Sequence, residues 1–151
     1  MIPNSGKDKI EQALNEAYDE VTHEIKKLLE ISQEGNRFYL FDLTKDGEHY
    51  GVQVYPMVSI DGMEYISISF GVSPFTYIPE TEWCNDDNID SYSDYTLDRL
   101  FDWIVDCIES VCGKEFLIPC YISYYDIDRL IDMHTREWIL LEDNGGFFYN
   151  E

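Results

Sequence analysis

Basic residues are scarce in this chain. Lys and Arg number 10 against 31 Asp and Glu over 151 residues, a formal net charge of -21 with a pI near 4.1. So few cations argue against direct binding to nucleic-acid phosphates, which takes a basic footprint. An anionic membrane surface is disfavoured for the same reason. A basic partner, a cation or simple solubility remain open. Long apolar runs are missing too: nothing approaches the roughly 20 residues of a membrane-spanning helix. The start, MIPNSGKDKIEQ, lacks the basic segment and apolar stretch of an export leader. The expectation is a cytoplasmic protein whose Cys84, Cys107, Cys112 and Cys120 are reduced thiols.

The short motifs of common chemistry are absent as well. There is no G-x-G-x-x-G and no phosphate-binding G-x-x-x-x-G-K-[ST], so nucleotide binding by a known loop has no support. G-x-S-x-G is absent, and His23, His49 and His134 come with no local Ser or Cys nucleophile motif. No C-x-x-C occurs, and Cys107, Cys112, Cys120 and His134 lack zinc-ligand spacing. The loop around Asp86 offers oxygen donors at Asp86, Asn88, Asp90 and Asp94. It has Ser91 where a calcium loop needs its turn glycine, and Leu97 where it needs a bidentate glutamate. No metal or cofactor is expected, and catalysis is the weaker reading.

What is present is a core. Hydrophobic residues make up 44% of the chain, with 12 Tyr, 8 Phe and 3 Trp, enough for one globular domain over residues 1–151. Ile10, Leu14, Ala17, Val21, Ile25 and Leu28 follow a helical period, predicting a long amphipathic helix over 6–34 that opens near Ser5 and ends at Gly35. Alternating apolar runs then break at Asp46-Gly47 and Asp61-Gly62. Such turns favour glycine, which tolerates positive φ, so an antiparallel meander is expected over 37–72. Pro56 falls in its middle strand and predicts a bulge or break there. Residues 73–93 read as a long loop, and 94–112 as a second amphipathic helix ending at Gly113. A strand in FLIPCYISYY, a short helix near DIDRLIDMH and a terminal hairpin turning at Asn144-Gly145-Gly146 complete the chain. The class is α+β, with no internal repeat or linker.

The second helix carries the sequence's most unusual feature. Asp86, Asp90, Asp94, Asp98, Asp102 and Asp106 recur every fourth residue, and between residues 80 and 109 ten acids face a single base, Arg99. Like charges four apart on a helix repel by roughly 0.2–0.5 kcal/mol per pair. Leu97, Leu100, Phe101, Ile104, Cys107, Ile108 and Val111 share an apolar arc, while Asp98, Asp102, Asp106 and Glu109 lie nearly opposite. Folding alone therefore does not require these acids. Trp83, Tyr92, Tyr95 and Trp103 lie among them as candidate aromatic anchors.

These features point to a non-catalytic acidic module that binds and neutralises a basic protein, in the manner of an immunity protein or antitoxin covering a nuclease toxin. The candidate partner-binding residues are Asp86, Asp90, Asp94, Asp98, Asp102, Asp106, Glu109, Trp83, Tyr92, Tyr95 and Trp103. A DNA-mimic inhibitor is a close variant. The alternative from another class is a small-molecule-binding or enzymatic domain, with its site between the sheet and helix 94–112.

Overall fold

The computed structural model of the chain describes residues 2–31, 37–57, 68–113, 119–124 and 126–140. The first element, helix α1, runs from Asn4 to Ile31. It begins just before the expected cap, so Ser5 lies inside its first turn and the Pro3 carbonyl accepts from the amides of Gly6 and Lys7. Its apolar stripe is buried as the period requires: Ile10, Leu14, Val21, Ile25 and Leu28 are all core residues.

Strands β1 (Phe38–Asp46), β2 (His49–Met57) and β3 (Ile68–Val72) form the expected antiparallel meander. Gly47 takes φ +62° in the β1–β2 turn, the left-handed conformation that Asp-Gly turns call for. β2 runs through Pro56 without the expected break, and Pro56 pairs in register with Tyr39. The described β2–β3 ladder covers Tyr50 to Val54. The expected turns at Asp61-Gly62 and at residues 144–146, and the Gly35 cap, lie outside the described residues.

Residues 73–93 are more ordered than a loop. A one-turn helix α2 spans Glu80–Trp83, and the second long helix, α3, runs from Ile89 to Cys112, five residues longer than its sequence period indicated. The Asn85 side chain organises the turn between them, its Oδ1 accepting from the amides of Asp87 and Asn88 at 3.0 Å each. Asp90, rather than Asp94, therefore occupies the first turn of α3, where the helix dipole favours an acid. Gly113 ends the helix at φ +89° and donates to the Glu109 carbonyl at 2.8 Å.

The chain then returns to the middle of the sheet. Strand β4 (Cys120–Tyr124) pairs parallel with β1, and β5 (Asp126–Asp132) and β6 (Trp138–Leu140) extend the sheet antiparallel. The order is β3-β2-β1-β4-β5-β6. The segment expected as a short helix near residues 126–134 is β5. Leu130 packs on one face of the sheet with Phe38 and Met57, and Ile131 joins the core on the other. A strand buried on both faces has adjacent apolar residues, which periodicity alone cannot tell from a helix.

Both long helices lie on the same sheet face. α1 covers the β3 end and packs against α3, while Leu100 and Ile104 of α3 share a core with Phe41 and Ile122. Among the described residues no helix is long and apolar enough to cross a membrane.

Candidate functional site: an acidic helix face and the groove beside it

The carboxylate row of α3 does not run straight. A helix turns about 100° per residue, so each four-residue step advances the row by about 40° around the axis. From Asp90 to Asp106 the acids therefore wind across the helix. Asp98 and Asp102 come to border the sheet side, while Asp106 comes round toward α1. Asp86, Asp90, Asp94, Asp98, Asp102 and Asp106 are all exposed, and Glu109 is half-buried.

Two arginines reach into this row. Arg99 binds Glu11 of α1 through both forks, Nε to Oε1 and Nη2 to Oε2 at 3.0 Å, and its Nη1 lies 3.9 Å from Asp106. Glu11 is the main reason the guanidinium is held above its ordinary pKa. Arg136, in the turn between β5 and β6, donates to Asp102. That second cation was not legible in the sequence, being thirty-four residues away. Asp86, Asp90, Asp94 and Asp98 have no ion pair among the described residues.

The aromatic anchors expected among the acids are elsewhere. Trp83, Tyr92 and Trp103 are buried, Trp103 to 4% exposure. Trp83 stacks on Phe75 with ring centroids 4.7 Å apart, and Tyr92 meets Phe75 edge-on at 5.9 Å. The Tyr92 hydroxyl donates to Glu82 at 2.8 Å. Burial, then this carboxylate, pushes its pKa up to about 12. Tyr95 is half-buried against the core with the Lys7 ammonium 5.3 Å above its ring. Trp83, Tyr92 and Trp103 are thus core residues, and Tyr95 keeps a partly exposed ring. The reason is that α3 is wedged between the sheet and α1, so it buries two faces where a single apolar stripe accounts for one. Trp103 lies on the second.

The most exposed aromatic among the described residues is Trp138. Two helices packed about 10 Å apart cannot roof six strands spaced about 4.8 Å. At the β5–β6 end Trp138 is 55% exposed and Leu140 41%. Beside α3 this leaves a groove of about 420 Å³. Ile122 of β4, Ile131 of β5 and Met133 form its floor, and Leu97, Phe101 and Val105 of α3 its apolar wall. Asp98, Asp102, Arg136 and Trp138 stand at its rim.

Other clusters are less suited to chemistry. Burial pushes the Cys107 thiol up to about 12 and raises Cys120 as well, which suppresses the reactive thiolate. Asp42 is raised by burial, partly offset by its hydrogen bond with Ser123. Among the described residues no three His, Cys, Asp or Glu side chains converge as metal ligands. No protein-family model matches the chain, and no curated protein matches it.

Proposed function

We propose that this chain is a non-catalytic binding module that captures a basic protein on the acidic face of α3, in the manner of an immunity protein or antitoxin that covers a nuclease toxin. The observation that carries this is the row of exposed carboxylates on one helix, only part of which is paired with arginine among the described residues. Repulsion along such a row is relieved when a cationic surface meets it. Long-range attraction to a -21 chain speeds encounter with a basic partner. The cytoplasm is the compartment proposed for this encounter.

Neutralising Asp94, Asp98 and Asp106 to Asn tests it. The partner is recovered with the unsubstituted chain as bait, purified, and its association followed over a salt series. The expected result is an on-rate about tenfold lower at low salt, with a shallower salt dependence and an unchanged fold. Identical kinetics would make the row an ordinary solvated face.

The groove favours a second reading. Its volume of about 420 Å³ and its mixed apolar and charged lining suit a small ligand, and it lies between the sheet and α3. A small-molecule-binding domain would use the same rim.

A further inference from the structure

The groove changes character from floor to rim in a way that matches one side chain. Ile122 and Ile131 offer a buried aliphatic floor, while Asp98 and Asp102 stand one helical turn apart above it. Across the opening Trp138 exposes more than half its surface. A guanidinium already occupies part of this rim, since Arg136 is bonded to Asp102. Asp98, the next carboxylate along, has no ion pair among the described residues.

We propose that the groove receives an arginine side chain of the basic partner, an inference that rests on the protein-binding reading above. The arginine methylenes lie against the half-buried Leu97 and Phe101 of the groove wall, as long cationic side chains cover apolar surface while keeping their charge outside. The guanidinium meets Asp98 and stacks on the Trp138 indole. Arginine is preferred over lysine because its planar, weakly hydrated cation both forks onto a carboxylate and stacks on an aromatic face. Arg136 holds the neighbouring carboxylate, which sets the spacing between the chain's own cation and the incoming one.

The test uses the full chain, labelled with ¹⁵N and with ¹³C at the methionine methyls, titrated with a nine-residue peptide of alternating arginine and glycine. A lysine–glycine peptide of the same length is the comparison. Saturable shifts are expected at the Met133 methyl and the Trp138 indole N–H, with the buried Trp83 and Trp103 indoles as internal references. Asp98→Asn should weaken arginine-peptide binding about tenfold, as should Trp138→Leu. The arginine peptide should bind several-fold tighter than the lysine peptide. Equal affinity for the two would overturn the arginine assignment. Shifts confined to the amides around Asp106 and Glu109, with Met133 and Trp138 unmoved, would remove the groove from the interface and leave the acidic-face reading standing. No shift anywhere with either peptide would remove both.

Discussion

Gly6 sits in the first turn of α1, where alanine would ordinarily add up to about 1 kcal/mol of helix stability. Here a Cβ would stand 2.8 Å from the Tyr92 hydroxyl and 3.3 Å from its ring. That ring is buried and its hydroxyl is committed to Glu82, so it cannot swing aside cheaply. Overpacking of this kind costs about 1–3 kcal/mol, more than the helix gains. Gly6→Ala should therefore lower the melting temperature by a few degrees, and a rise would mean α1 and Tyr92 are not in contact. Thr96 gives the opposite sign. It is fully buried in α3, and its hydroxyl has no hydrogen-bond partner among the described residues. Desolvating an unmatched hydroxyl costs about 1–3 kcal/mol. Thr96→Val, nearly the same shape, should raise the urea midpoint by an amount worth about 1 kcal/mol. A lower midpoint would reveal a partner for that hydroxyl. Neither effect is visible from sequence, because both depend on what lies opposite.

Arg99 is the clearest case at the level of elements. From the sequence it is a lone base among acids on its own helix. In the fold it joins α3 to α1 through a two-pronged bond to Glu11 and only grazes Asp106. Arg99→Gln should cost about 1 kcal/mol, modest because the pair is partly exposed. Arg99→Lys should recover only part, since an ammonium cannot fork. A double-mutant cycle with Glu11→Gln measures the pair directly, and zero coupling would reduce it to a surface coincidence. The same contrast separates legible elements from illegible ones. α1 and the β1–β2 hairpin were readable because a 3.6-residue stripe and an Asp-Gly turn are local signals. The start of α3 was not, since Asn85-Asp-Asp-Asn88 has loop composition although its side chains organise the turn into the helix. Nor is β5 legible, because burial on both faces erases the two-residue period.

For the whole molecule the excess of acids sets the response to salt. A net charge of -21 on a compact chain repels itself, and the described ion pairs offset only a few of those charges. Raising NaCl shortens the screening length from about 30 Å at 0.01 M to about 3 Å at 1 M. The melting temperature should climb by several degrees over that range. A fall would mean that ion pairs such as Arg99–Glu11 outweigh the general repulsion. Charge balance, the α+β class, the stripe of α1, the hairpin turn and the outward-facing aspartates are properties of composition and of short periods, and the sequence determined them by itself. Where the described strands lie relative to the helices is different, because it follows from β4 pairing parallel with β1 in mid-sheet after a long excursion through α3. The packing of α3 on the sheet buried Trp103, the return of the chain brought Arg136 to Asp102, and Trp138 stayed 55% exposed on the rim it shares with Asp98. A side chain's own identity says that it is aromatic or charged. Only the packing of distant elements decides whether it faces the core, a neighbour or a partner.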